Sequence, residues 1–411
     1  MTQLETTGAT WRRPTTTRGR ALVVAALATA VVLFLATVPL HRGWFDLGVY
    51  FGTVHHWAGG GAIYDYVVPG SHYGFTYPPF AALCMLPMRL IDWQSAVAFS
   101  VLFNAAAAAL ILRWTAGPVV RRQGWTPWYA LALVGCAFAL LEPVRDTVSF
   151  GQVNLLLLAL VLADARLPAK GRASRYAGVG IGLAAAIKLT PAVFIGHLLL
   201  TGRPRAAATA TAVALGATGL AAWIAPDASR VYWTEALWDT DRVGELAYVS
   251  NQSWQGLLAR LSEPYEPSRG IWAAGVIVLL AIWAVRVRRA TAAGDHAAGF
   301  ALTGVLACLI SPVTWVHHLV WLLPALVVLA GAALREPEGP DRRRLLTWAV
   351  ALPVVLCSSI VWLWSKDSSG LDGFLGGNTY VWIALGLLFA LPVRRPVHSA
   401  PAEALPPTSR S

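Results

Sequence analysis

Apolar stretches recur along nearly the whole chain, around residues 20–40, 79–113, 127–142, 152–166, 175–187, 190–201, 206–225, 270–286, 297–312, 316–334, 345–364 and 380–393. Short polar or basic breaks separate them. A perpendicular membrane crossing takes about 20 predominantly apolar residues. Several runs are shorter than that, which predicts broken or half-buried helices among full-length ones. The pattern predicts an all-α polytopic membrane protein with about twelve transmembrane helices, eleven to thirteen in all. The run 79–113 splits into two apolar halves around Asp92. The alternation of sides requires an odd number of crossings there, so one half is a candidate re-entrant or interfacial segment. The first run, Ala21 to Leu40, has a basic flank and no small-residue cleavage motif, so it reads as a first span and not as a removed signal.

Composition agrees with this picture. The 411 residues are 56% hydrophobic and 13% charged, against about 25% charged in soluble domains. The net charge of +11 comes from clusters between apolar runs: Arg12, Arg13, Arg18 and Arg20; Arg121 and Arg122; Arg166, Lys170, Arg172 and Arg175; Arg203 and Arg205; Arg286, Arg288 and Arg289; Arg342 to Arg344; Arg394 and Arg395. That is the positive-inside arrangement, not a groove that tracks nucleic-acid phosphates. With the N-terminus in the cytoplasm the clusters fall inside. Residues 41–78, 143–151, 226–269, 313–317 and 365–379 then fall outside, and both termini are cytoplasmic. The division is a basic segment 1–19, a membrane domain 20–393 and a Pro/Ala/Ser-rich disordered tail 394–411. The four cysteines, Cys84, Cys136, Cys308 and Cys357, lie in apolar segments without metal-ligand spacing and read as small core residues.

The polar chemistry gathers on the outer side. Asp46, among aromatic and aliphatic neighbours, reads either as a general base that partial desolvation would tune, or as a helix N-cap or surface acid paired with Arg42. Tyr64 and Tyr77 suit stacking on a sugar or anchoring at headgroups. Pro78–Pro79 sets the start of a helix. Glu142, Arg145, Asp146, Gln152 and Asn154 suit a hydroxyl-rich or phosphate ligand, or an ordinary helix hairpin with Glu142 paired to Arg145. Lys188, alone in an apolar run, either snorkels or meets an anion such as a lipid phosphate. Asn251, Gln252 and Trp254 could line a glycan groove or cap a helix. Adjacent helical residues point about 100° apart, so His317 and His318 make a poor zinc site; hydrogen bonding to a phosphate or sugar suits one of them, and the other reads as structural. Nucleotide-binding and metalloprotease motifs are absent from the sequence. No cofactor and no metal is expected, and an activated substrate must arrive at the outer face.

Six stretches in order, FDLGVYF, YDYVVPGSHYGFTYPPFAAL, EPVRDTVSFGQVNLLLLAL, GLAAAIKLTPAVF, NQSWQGLLAR and SPVTWVHHLVWLLP, resemble the actinobacterial polyprenol-phosphate-mannose-dependent α-mannosyltransferases of the GT-C type, glycosyltransferase family 87. The likeness is closest to members that make α-(1→2) linkages on phosphatidylinositol mannosides. The resemblance implies a GT-C fold whose first outer loop carries juxtamembrane helices. It implies a polyprenyl-phosphate-mannose donor, a lipid-anchored glycan acceptor and inversion at the sugar carbon. It makes Asp46 the base, with Lys188, Arg145, His317 and His318 on the donor phosphate. Tyr50, Tyr77, Glu142, Gln152, Asn154, Asn251, Gln252 and Trp254 would then hold sugar or acceptor. The family pattern has a histidine after Asp-Leu where this chain has Gly48, which bears on acceptor preference. Branching of lipomannan or lipoarabinomannan, another polyprenyl-phosphate sugar, and a lipid-linked sugar flippase remain alternatives. A flippase would favour midplane polar groups and inverted repeats, and the sequence shows no repeat.

Overall fold

A computed structural model describes residues 16–39, 41–168, 171–239 and 242–394. Arg12, Arg13, Lys170, Arg395 and the tail from 395 onward lie outside these residues. Within them the chain is helical, with one isolated β-bridge between Val67 and Gly74. The first helix, α1 (Thr17–Thr37), is capped by the Thr16 hydroxyl accepting from the Gly19 N–H, and none of its residues is buried. An apolar helix with no buried residue belongs in lipid.

The segment after α1 carries α2 (Phe45–Ala58), the Val67–Gly74 bridge and the short α3 (Pro79–Met85), started by the expected Pro78–Pro79 pair. Asp92 then caps α4 (Trp93–Thr115) by accepting from the Ser95 N–H at 2.8 Å. With α5 (Gly117–Arg122) it forms an apolar stretch of 30 residues. The run 79–113 thus holds one full-length span, and the half before Asp92 is a seven-residue helix followed by a 3₁₀ turn.

Next come α6 (Pro127–Leu140) and α7 (Glu142–Phe150), bent by 71° at their junction, and α8 (Asn154–Ala165). The middle of the chain forms α9 (Val179–Ile187), α10 (Val193–Leu200), α11 (Pro204–Ile224) and α12 (Pro226–Val231). The last part forms α13 (Trp254–Ser262), α14 (Arg269–Ala292), α15 (His296–Ile310), α16 (Leu323–Ala333) and α17 (Pro340–Cys357). The chain closes with α18 (Gly370–Gly376) and α19 (Thr379–Ala390), bent by 54°.

Among the described residues five helical stretches are long and apolar enough to cross a membrane, or seven if each bent pair is one span. The stretches 79–90, 154–165, 190–200 and 296–310 are apolar but shorter. Helix length therefore supports five to seven full crossings where about twelve were expected. Two of the short helices, α8 and α15, are buried along most of their length. Broken helices are tolerated at membrane depth where neighbouring protein surrounds them. Close approach of α9 and α11 depends on small residues: a Cβ on Gly178 would stand 2.1 Å from the Ala206 carbonyl oxygen. The bundle has two distinct ends, because α15 runs about 20 Å from His296 at one cavity to Ile310 at another.

Candidate active site

Asp46 lies in the first turn of α2 and lines a cavity of about 520 Å³. Its position follows from how α2 meets α7. Trp44, in the left-handed region at φ 58°, donates its N–H to the Ser149 carbonyl at 2.9 Å, tying the start of α2 to the end of α7. Gly151 ends α7 at φ 73°, and a Cβ there would stand 2.5 Å from the Leu47 Cβ. Glycine meets both demands, the positive φ and the close contact. The next residue, Gln152, then donates from Nε2 to Asp46 Oδ2 at 2.8 Å.

Behind that contact runs a connected polar network. Gln152 Oε1 accepts from the Tyr77 hydroxyl at 2.8 Å and from Asn154 Nδ2 at 3.3 Å, which orients the amide with its nitrogen toward Asp46. Tyr77 in turn accepts from the Tyr50 hydroxyl at 2.9 Å. Lys188 stands at the break between α9 and the 3₁₀ turn Thr190–Ala192. Its Nζ donates to Asn154 Oδ1 at 3.0 Å and to the Tyr77 oxygen at 3.4 Å, and lies 2.8 Å from His318 Nε2. His318 Nδ1 also receives the Trp315 N–H at 3.2 Å. A neutral imidazole accepts at one nitrogen only, so the Lys188 ammonium and the Trp315 amide compete for His318.

Enclosure by the cavity walls pushes the Asp46 carboxyl up to about 6; the Gln152 hydrogen bond and the Lys188 charge hold it from rising further. Burial, with the Asp46 charge nearby, raises the Tyr77 phenol well above its ordinary value, so it stays a hydrogen-bond donor. The site therefore combines a carboxylate poised near neutrality, a fixed amide and a cation beside an aromatic wall. That set can take a proton from a hydroxyl and receive an anionic leaving group.

The family description of glycosyltransferase family 87 matches residues 75–312. The chain belongs to glycosyltransferase family 87. Two relatives named polyprenol-phosphate-mannose-dependent alpha-(1-2)-phosphatidylinositol mannoside mannosyltransferase are each 33% identical to it. The one from Mycobacterium tuberculosis aligns over 80% of this chain and 78% of its own length. The one from Mycolicibacterium smegmatis aligns over 84% and 83%. A second M. smegmatis relative, named for a phosphatidylinositol pentamannoside acceptor, is 34% identical over 80% of this chain and 78% of its own. No solved structure matches. The chain is a membrane glycosyltransferase, which sets aside the flippase alternative.

Of the residues singled out in this family 87 chain, Asp46, Tyr50, Tyr77, Gln152, Lys188 and His318 line the cavity. Asn154 stands just behind, holding Gln152 and Lys188. His317 does not face it: its ring packs on Phe150 and His318, and its carbonyl accepts from Thr147. Arg145 is turned away from the cavity. Its guanidinium donates to the Leu140 and Cys357 carbonyls at 2.8 and 2.9 Å and to the Ser359 hydroxyl, bracing α7 against the end of α17. Glu142 does not pair with Arg145; it accepts from Trp362 Nε1 and the Tyr380 hydroxyl.

The remaining three also serve the scaffold. Asn251 clamps two carbonyls, Leu246 and Pro312, and accepts from the Thr314 N–H. Gln252 bonds the Val249 and Gly377 carbonyls and the Tyr380 and Val381 amides. Trp254 packs against Gly275. Buried amides satisfy backbone groups that a loop leaves unpaired, and sequence pattern does not separate that use from sugar binding. Arg42 pairs with Asp146 at 3.4 Å and not with Asp46. Gly48 is not among the cavity-lining residues, and a Cβ there would meet only Trp93, at 3.9 Å.

Sequence reasoning missed Arg242, Tyr73, Thr76 and Trp315, all on the cavity wall. Arg242 donates to the Tyr64 carbonyl at 2.9 Å and stands 4.0 Å from Asp239. One signal was available: Arg242 falls in the stretch 226–269 expected outside, where a basic residue runs against the positive-inside trend.

Proposed function

We propose that this chain is an inverting mannosyltransferase. It moves mannose from a polyprenyl-phosphate-mannose to a phosphatidylinositol mannoside, forming an α-(1→2) linkage at the extracytoplasmic face of the membrane. The observation that carries the reading is the Asp46 carboxylate. Oδ2 is held by Gln152, and Oδ1 has no hydrogen-bond partner among the described residues, in a cavity whose wall includes Lys188. The names of the relatives supply the donor and acceptor classes.

In this reading an acceptor hydroxyl enters beside Asp46 and attacks the anomeric carbon from the side opposite the phosphate, as inversion requires. The new C–O bond forms as the bond to the phosphate oxygen breaks. The hydroxyl proton passes to Asp46, and the electron pair leaves with the polyprenyl phosphate. Lys188 stands where the phosphate charge develops. Meeting that anion also frees His318 to accept from the Trp315 amide alone. Arg242, on the same cavity wall, offers a second cation for that lipid phosphate. The donor carries its own activation, so the reading calls on no cofactor. Arg122, Arg166, Arg335 and Arg394 gather near His296, at the end of α15 away from Asp46, and support the orientation, since clustered arginines favour the cytoplasmic side.

The test is mannosyl transfer in membranes from polyprenyl-phosphate-mannose to phosphatidylinositol mannosides, comparing the wild type with an equally expressed Asp46→Asn variant. Wild-type transfer that falls by roughly 10²–10⁴-fold in the variant is the expected result. An unchanged rate removes Asp46 as the base. Wild type that transfers another sugar, or uses another lipoglycan, moves the donor or acceptor assignment and leaves the family membership standing.

A further inference from the structure

At the end of the bundle away from Asp46, a second cavity of about 310 Å³ opens between α4, α5, α8, α15 and α16. Arg122, Arg166, Arg335 and Arg394 all line it, and Phe300 and Val327 contribute apolar wall. Among the described residues its one acid is Asp295, and that carboxylate is already engaged. It is buried, accepts from the Ala298 N–H at 3.3 Å and the Arg394 N–H at 3.1 Å, and stands 3.9 Å from the Arg394 guanidinium.

The other three arginines form no ion pair among the described residues. Arg122 spends its Nε on the Pro118 carbonyl, and the Arg166 guanidinium lies over the Trp114 ring, 5.8 Å from its centroid. These contacts position the side chains without neutralising them. Partial burial, with the like charges of Arg394 and Arg122 nearby, lowers the pKa of Arg335, and Asp295 works against that only in part. Uncompensated positive charge converging on one cleft is relieved by an anion. Guanidinium groups fit phosphate oxygens in paired hydrogen bonds. An apolar wall running into the bundle favours a ligand whose anionic head carries a hydrocarbon tail. A cavity of this size sits at the low end of small-molecule sites, about 300–1,000 Å³, which suits a headgroup better than a whole lipid.

We propose that this cavity binds the phosphate headgroup of an anionic phospholipid from the leaflet opposite Asp46, with an acyl chain lying along Val327 and Phe300. Basic clefts between transmembrane helices on the cytoplasmic side recognise anionic lipid heads by this chemistry. The proposal is independent of which sugar or acceptor the Asp46 site uses.

The experiment uses the purified full chain in detergent. Native mass spectrometry and thermal unfolding are followed after adding phosphatidylglycerol, phosphatidylcholine or inorganic phosphate. Wild type, an Arg166→Gln/Arg335→Gln double variant, and Arg344→Gln, an exposed arginine outside the cavity, are compared. The expected result is retention of phosphatidylglycerol with a raised Tm, neither effect from the other two additives, and retention at least about tenfold weaker in the double variant. Arg344→Gln should behave as wild type. Equal retention of phosphatidylcholine overturns the proposal, as does undiminished phosphatidylglycerol binding in the folded double variant. An equal Tm rise with inorganic phosphate alone overturns the lipid assignment in favour of a small-anion site. If the double variant does not fold, Arg335→Gln alone is read by the same criteria.

Discussion

Gln152 Nε2 and Asp46 Oδ2 stand 2.8 Å apart although 106 positions separate them in the chain. The contact orients the carboxylate by one oxygen and favours its ionised form, while burial acts against ionisation. The balance leaves Asp46 at about 6, a value suited to proton transfer near neutral pH.

A base must be ionised before it can accept a proton. Transfer catalysed by Asp46 should therefore be full above its pKa and decline as pH falls through about 6, tenfold per unit in the acid limb. An ordinary aspartate would keep the rate flat down to about 4. Removing the Gln152 donor takes away a stabiliser of the carboxylate, so Gln152→Leu should move the acid limb upward by about one unit. The pH profile of kcat/KM measures both; a limb near 4 in the wild type, or no movement in the variant, counts against the assignment.

Lys188→Met should lower the transfer rate by roughly 10²-fold, the size of effect seen when one charge-stabilising donor is lost. Lys188→Arg should restore little of it. The three groups around Nζ, from Asn154, Tyr77 and His318, enclose a compact point charge and not a planar fork. Steady-state rates at saturating acceptor, with polyprenyl-phosphate-mannose varied, measure the effect. Full activity in the methionine variant would place the leaving phosphate elsewhere.

Gly151→Ala combines a disfavoured positive φ with a Cβ placed 2.5 Å from that of Leu47. It should cost about 1–2 kcal/mol of stability and displace Gln152 from Asp46, so the folded fraction should also lose rate. Thermal unfolding and specific activity are measured on the same preparation. Unaltered activity in a normally stable variant would mean the α2–α7 junction is not what sets the site.

Arg145 was expected on the donor phosphate but braces two carbonyls and a hydroxyl. Arg145→Leu should destabilise the protein by about 1–3 kcal/mol through the buried acceptors it orphans. The KM for polyprenyl-phosphate-mannose should stay unchanged in the folded fraction. A raised donor KM with unchanged Tm would return Arg145 to the binding site.

The helical membrane architecture was legible because it is written locally. Runs such as 206–225 and 270–286 became the long helices α11 and α14, and Asp92 marked the break that its side-chain cap enforces. The helix break that leaves Asp46 in a segment between spans was legible for the same reason. Short runs such as 175–187 were less so. Length measures a span only where lipid surrounds it, and α9 instead packs against α11 through Gly178.

What sequence alone determined, then, is that the chain is a helical membrane protein, where its basic clusters fall along the chain, and which polar residues are costly enough at membrane depth to have a role. Only the tertiary structure decided which of those residues share a cavity. Asn251, Gln252 and Arg145 carry the same hydrogen-bonding groups as Asn154, Gln152 and Arg242. The first set is turned onto backbone carbonyls and amides; Gln152 and Arg242 line the cavity and Asn154 supports it. A polar side chain at membrane depth must find a partner, but the partner can be 130 residues away, as His318 is from Lys188. Pairings at that separation are made by helices packing together, and no local pattern encodes them.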